Sequence, residues 1–145
     1  MRVLVQIVNS AKLSVEDVEI SSIRYGFVVY VGFTHTDTKE IIEKAAKKVA
    51  SLRIFPDDNN RTNLNIEDVE GEILSVSQFT LYAEAYEANR PSFTSCMAGD
   101  MARDFYNLFN SELRKYNIST KEGKFGSTMK IEQTNIGPFS IMLEF

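Results

Sequence analysis

Two short segments hold the residues best able to do chemistry: Ser77-Gln78-Phe79-Thr80-Leu81 and Thr134-Asn135-Ile136-Gly137-Pro138-Phe139-Ser140. Each sets small hydroxyl residues and main chain at the end of an apolar strand. The second also holds a Gly-Pro bond, one of the few peptide bonds that can be cis at modest cost. A serine or threonine nucleophile normally needs a base beside it. The single histidine, His35, falls instead near the start of the first expected helix. One histidine and one cysteine (Cys96) also leave no two-histidine or multi-cysteine metal site within the chain. What remains is chemistry by backbone donors, hydroxyls and water. Such a site suits an activated substrate such as an ester, which needs oxyanion stabilisation more than a strong nucleophile. Ser77, Gln78, Phe79 and Thr80 can supply main-chain N–H groups and polar side chains for it. The competing reading is a sheet strand whose hydroxyls bond locally, with Gly137-Pro138 an ordinary turn.

Other patterns fall away on inspection. Asp57, Asn59 and Asp68 stand at positions 1, 3 and 12 of a calcium loop, but Arg61 and Thr62 occupy positions that need a ligand and a glycine. Gly123-Lys124-Phe125-Gly126 lacks the strand-to-helix context of a phosphate loop. The carboxylates Glu67, Asp68, Glu70, Glu72, Glu84 and Glu87 are numerous enough to contain a catalytic pair, yet solvated charge explains most of them.

The elements that must position these residues follow from periodicity. Strands are expected at 2–9, 12–20, 26–34 and 72–82, the last carrying the first segment. A helix at 38–52 has Thr36-Asp37 as its N-cap and buries Ile41, Ala45, Val49 and Leu52, with Ile42 and Ala46 alongside. Pro56-Asp57-Asp58-Asn59-Asn60 is a turn, and 83–96 an ordered loop. A second helix at 99–116 presents Met101, Phe105, Leu108, Leu113 and Tyr116, and strands at 128–134 and 138–144 finish the chain. This order gives one α+β domain over 1–145 with a mainly antiparallel, barrel-like sheet and two long helices outside.

Composition bounds the partners. A formal net charge of −4 argues against a broad nucleic-acid-coating surface. Between Glu112 and Lys130, five cations (Arg114, Lys115, Lys121, Lys124, Lys130) oppose two anions, which is either a local basic edge or a solvated helix end. Cys96 has no disulfide partner, the N-terminus does not read as a signal peptide, and the longest apolar run, 27–33, is far short of a membrane span. A soluble cytoplasmic protein is expected, with no membrane or DNA partner. The glycosylation patterns at Asn60 and Asn117 then carry no weight.

Ser77-Gln78-Phe79-Thr80-Leu81 and Asn135-Ile136-Gly137-Pro138 resemble the two signature segments of the D-aminoacyl-tRNA (D-tyrosyl-tRNA) deacylases. The likeness extends through Met1-Arg2, Leu52-Arg53-Ile54-Phe55, Asn63-Leu64, Asn89-Arg90-Pro91-Ser92-Phe93 and Gly123-Lys124-Phe125-Gly126 followed by Met129. It implies a homodimer with active sites at the subunit interface and neither cofactor nor metal. Its reaction is hydrolysis of the ester of D-aminoacyl-tRNA, and of glycine wrongly attached to tRNA. By the same resemblance, a cis Gly137-Pro138 bond enters the neighbouring subunit's site, where its carbonyls exclude L-residues. Phe79 and Thr80 main chain, with Ser77 and Gln78, would hold the ester carbonyl and terminal adenosine. Asn135 and Met129 would line the pocket, and Thr80 is a possible nucleophile. The basic edge would meet the tRNA acceptor end.

The chain departs from the family pattern at three places. Ile7 replaces the arginine usual after the first strand's glutamine, thought to brace the Gly-Pro carbonyls. Ile136, Phe139 and Ser140 replace the usual Asp, Val and Thr around Gly-Pro. Glu84-Ala85-Tyr86-Glu87-Ala88 replaces a basic, glycine-containing turn. Ile7 and the acidic turn sustain an alternative from another class, a non-catalytic tRNA-end or nucleotide-binding module on the same fold.

Overall fold

The computed structural model describes residues 1–97 and 99–145. Its organising element is β1 (Arg2–Val15), a strand longer than its apolar start implies. The chain reverses at Glu16 and Asp17, which both take positive φ, 50° and 61°. Two left-handed residues are what a two-residue hairpin requires. The return runs through β2 (Val18–Ile23) and β3 (Gly26–Gly32), which pair antiparallel with the far and near halves of β1. The strand expected at 12–20 is therefore cut by this turn.

β6 (Glu72–Ser77) then adds parallel to β3, and β7 (Ser119–Glu122) parallel to β6. On the other side of β1, β8 (Lys130–Glu144) runs antiparallel from end to end, with the ladder broken near its middle. The two strands expected at 128–134 and 138–144 are thus one irregular strand. The free edges of β2 and β7 meet: Ser21 Oγ donates to the Glu122 carbonyl at 2.5 Å. The mixed sheet so nearly closes into a barrel. Val8, Leu13, Val28, Leu74 and Val76 fill its inside. A separate hairpin, β4 (Phe55–Pro56) and β5 (Thr62–Leu64), carries the turn expected at Pro56. Asp57 accepts there from the N–H groups of Arg61 and Asn59, which hold its carboxyl below the usual range.

Outside the barrel, α1 (Lys39–Ala50) and α2 (Gly99–Arg114) cover Val3, Val5, Phe27 and Ile73. The N-cap of α1 is Thr38, whose side chain accepts from the Ile41 N–H. Asp37 is committed elsewhere. Its carboxylate takes the Met1 ammonium at 2.5 Å and the Thr34 N–H at 2.9 Å. α2 buries Leu113 as expected and packs Phe105 and Leu108 partly against the core, but its buried face also takes in Ala102, Tyr106 and Phe109, and Met101 is 60% exposed and Tyr116 38%. Tyr106 can go inside because its hydroxyl donates to the Ser75 carbonyl at 2.7 Å. Among the described residues, no helix is long and apolar enough to cross a membrane.

Candidate active site

β6 ends at Ser77, and the Gln78 N–H makes a last rung to the Val31 carbonyl at 2.7 Å. The chain then winds into a short 3-10 turn, Phe79–Tyr82, in place of the strand expected to reach residue 82. Gly32 permits this. A β-carbon there would lie 2.9 Å from the Gln78 carbonyl oxygen and 3.0 Å from Leu81 Cβ, so a side chain would push the turn off β3. Arg2 ties down the far end, donating to the Leu81 carbonyl at 2.9 Å and lying 4.6 Å above the Tyr82 ring. A helical turn leaves its first N–H groups unbonded. Those of Phe79 and Thr80 find no protein acceptor among the described residues.

This turn forms one wall of a cleft of about 450 Å³. Ser77, Gln78 and Phe79 line that wall, Phe125 to Met129 line another, and Met97, ahead of α2, and Ala102, in its first turn, complete the lining. Gly123 lets the second wall pack in: a β-carbon there would sit 2.7 Å from Met129 Sδ. The Gly123 N–H also donates to the Ser75 carbonyl at 2.9 Å, the same oxygen that takes the Tyr106 hydroxyl. One carbonyl therefore joins β6, α2 and the glycine turn. Phe79 is 52% exposed and meets Phe93 with ring centroids 5.2 Å apart, so the Arg90-Pro91-Ser92-Phe93 loop forms part of the lip.

Of the expected site residues, Ser77, Gln78, Phe79 and Met129 come together in the cleft. Thr80 is exposed beside it, and its hydroxyl accepts from Gln78 Nε2. His35 is occupied with the Thr94 carbonyl at 3.1 Å. Asn135, Gly137 and Pro138 do not line this chain's cleft. The Gly137-Pro138 bond is cis and exposed, with Gly137 at φ 110°. The β1–β8 register runs from Gln6 opposite Ser140 to Val8 opposite Asn135, so residues 136–139 bulge out facing Ile7. Ile7 itself is 4% exposed and belongs to the core under the helices. Phe125, Met97 and Ala102 were not singled out as site residues. The glycines at 123 and 126 were the visible sign of the turn that brings Phe125 in; Met97 and Ala102 gave none.

Two expected features have ordinary partners. Arg114 is paired with Glu122 and Lys115 with Glu112, leaving Lys121, Lys124 and Lys130 without an ion-pair partner among the described residues. Cys96 is 6% exposed and its thiol donates to the Phe79 carbonyl at 3.2 Å. Burial first, and the Glu84 carboxylate second, push that thiol up. Cys96 is therefore expected to react with a thiol-specific disulfide reagent at neutral pH roughly a hundredfold more slowly in the native protein than in urea. Equal rates would contradict its burial.

Fold and cleft define a class: an α+β barrel with a substrate-sized cleft at a strand end, walled on one side by main chain and small polar groups. A family model described as D-Tyr-tRNA(Tyr) deacylase matches residues 4–144. A D-aminoacyl-tRNA deacylase of Exiguobacterium sp. is 44% identical, covering 99% of this chain and 98% of its own length. Another, from Listeria monocytogenes, is 46% identical over 99% and 95%. A solved structure titled c-Myc DNA Unwinding Element Binding Protein superposes with a TM-score of 0.93 at 36% identity, covering 100% of this chain and 99% of that one. A probable eukaryotic D-amino acid tRNA deacylase gives a TM-score of 0.86 at 20% identity, over 98% and 97%, a likeness of fold alone. The chain belongs to the D-Tyr-tRNA(Tyr) deacylase family.

Proposed function

We propose that this protein hydrolyses the ester of D-aminoacyl-tRNA, releasing the D-amino acid and tRNA, and that it also removes glycine mischarged on tRNA. One observation carries the reading: unbonded N–H groups of Phe79 and Thr80 stand at the rim of a cleft with no histidine beside its hydroxyls. Such donors stabilise the oxyanion that forms as an ester carbonyl is attacked, each contributing about 3–4 kcal/mol to the transition state. Water, assisted by the ribose hydroxyl of the terminal adenosine, is the nucleophile. Ser77 and Gln78 hold the ester and adenosine, and Met129 packs against them.

The working unit is a cytoplasmic homodimer. In its support, the outer edge of β8 has no strand partner among the described residues, and Ile136 and Met142 on that strand are exposed. Gly137 and Pro138 of one subunit enter the cleft of the other, beside Asn135, and act as the chiral filter. Their fixed carbonyls clash with an L side chain but leave room for hydrogen or a D side chain, a discrimination by exclusion. Lys121, Lys124 and Lys130 meet the acceptor end of the tRNA. No DNA partner is proposed for a chain of net charge −4.

A non-catalytic tRNA-end module is the second reading. It draws on Ile7 in place of arginine and on the acidic turn from Glu84 to Ala88. Turnover of D-tyrosyl-tRNA, L-tyrosyl-tRNA and glycyl-tRNA decides between them. The expected result is hydrolysis of the D and glycyl esters with the L ester spared by about a hundredfold or more, since a polar or steric clash costs several kcal/mol. Hydrolysis of none favours the module, and equal hydrolysis of D and L esters removes the filter. Thr80→Ala is expected to keep activity within about tenfold, because its hydroxyl has no base to activate it. Complete loss in a folded variant would make Thr80 the nucleophile.

A further inference from the structure

The Gly137-Pro138 bulge faces Ile7, a side chain with nothing to donate to it. Its two ends are nevertheless held. Ser140, on one side of the bulge, accepts from Gln6 Nε2 at 3.0 Å. Asn135, on the other side, accepts from Gln133 Nε2 at 2.7 Å. The same Gln133 amide donates to Gln6 Oε1 at 2.9 Å, which closes a bridge beneath the bulge. Gln133 Oε1 in turn accepts from the Tyr30 hydroxyl at 3.0 Å, and Tyr30 is packed against the barrel interior. The polarity is consistent throughout: Tyr30 gives to Gln133, Gln133 gives to Gln6 and Asn135, and Gln6 gives to Ser140. Burial pushes the Tyr30 hydroxyl up, so it stays a donor at neutral pH.

We infer that Tyr30, Gln133, Gln6 and Ser140 are positioning residues that brace the Gly137-Pro138 bulge. The inference rests on the proposed role of the bulge as a chiral filter. A filter works only if its carbonyls cannot yield to an L side chain. Asn135 and Ser140 flank the four bulged residues, and fixing both flanks restricts the loop between them. Gln133 is the hub, because its amide makes three of the four bonds and reaches back to the core through Tyr30.

Gln133→Glu tests this with little change of shape. The carboxylate still accepts from Tyr30, but it loses both donations and sets an anionic oxygen against Gln6 Oε1 and Asn135 Oδ1. The measurement is the ratio of kcat/KM for D-tyrosyl-tRNA to that for L-tyrosyl-tRNA, beside the thermal midpoint. The ratio is expected to fall about tenfold or more through faster L-ester hydrolysis, with the D ester within about threefold of wild type. Tyr30→Phe, which removes one oxygen, is expected to lower the ratio less and serves if Gln133→Glu does not fold. Ser140→Thr keeps the hydroxyl and is expected to keep the ratio. A discriminating wild type with folded Gln133→Glu or Tyr30→Phe variants that discriminate equally well would overturn the brace alone. A wild type that cleaves both esters equally would overturn the filter, and the brace with it.

Discussion

Alanine at position 137 is expected to reduce kcat/KM for D-tyrosyl-tRNA about a hundredfold while moving the thermal midpoint by only about 3 °C. Gly137 has φ 110°, where an L side chain is strained, and a β-carbon would lie 2.8 Å from the Phe139 nitrogen and 3.3 Å from Phe139 Cβ. Something must shift. Residues 134–138 are exposed and 136–139 stand outside the β1–β8 ladder, so the bulge moves rather than the core. Strain of this kind costs about 1–3 kcal/mol, and much of it is relieved by that displacement. In the proposed dimer the displaced segment and its new methyl occupy the neighbour's cleft. A misplacement of about 1 Å near reacting groups can cost a hundredfold in rate. Undiminished activity of the variant would place residue 137 away from the substrate.

Gly26→Ala is expected to have the largest effect on stability, about 4 kcal/mol or more, read as a collapse of the urea midpoint or loss of soluble protein. A β-carbon there would fall 1.9 Å from the Glu72 carbonyl oxygen and 2.6 Å from the Glu72 nitrogen. Both are backbone atoms and cannot swing aside as a side-chain tip would. Gly26 also lies where three strands meet, opposite Val8 of β1 and Glu72 of β6. Making room would part the parallel β3–β6 pairing and open the barrel over Val28 and Leu74, both fully buried. An unchanged urea midpoint would mean that these strands are not so closely paired.

The sequence disclosed what rests on periodicity. Alternation and β-branched content announced β1 and β3, and the 3.6-residue spacing announced α1. Elements set by tertiary contact stayed hidden. β7 reads Ser-Thr-Lys-Glu, with no apolar alternation, and is a strand because β6 offers it a parallel edge. Glu16-Asp17 lacks glycine or asparagine, so its left-handed pair gives no hairpin signal. In α2, nothing in the local pattern marks Tyr106 as a core residue, yet the Ser75 carbonyl receives its hydroxyl inside. The site divides in the same way. Ser77 to Phe79 were legible as a cleft wall, but Gly32, which permits the turn, matters through a contact across the sheet. Gly137-Pro138 was legible as a motif; in the proposed reading its place depends on a second subunit, a relation no local pattern encodes.

A crystal structure of the dimer with a non-hydrolysable D-tyrosyl-adenosine amide would test the central claim most directly. The account predicts that the carbonyls of Gly137 and Pro138 from one subunit face the ligand's chiral carbon, while the ligand's own carbonyl points at the Phe79 and Thr80 N–H groups of the other. Finding residues 137–138 in open solvent, remote from Phe79 of either subunit with the ligand bound, would contradict it.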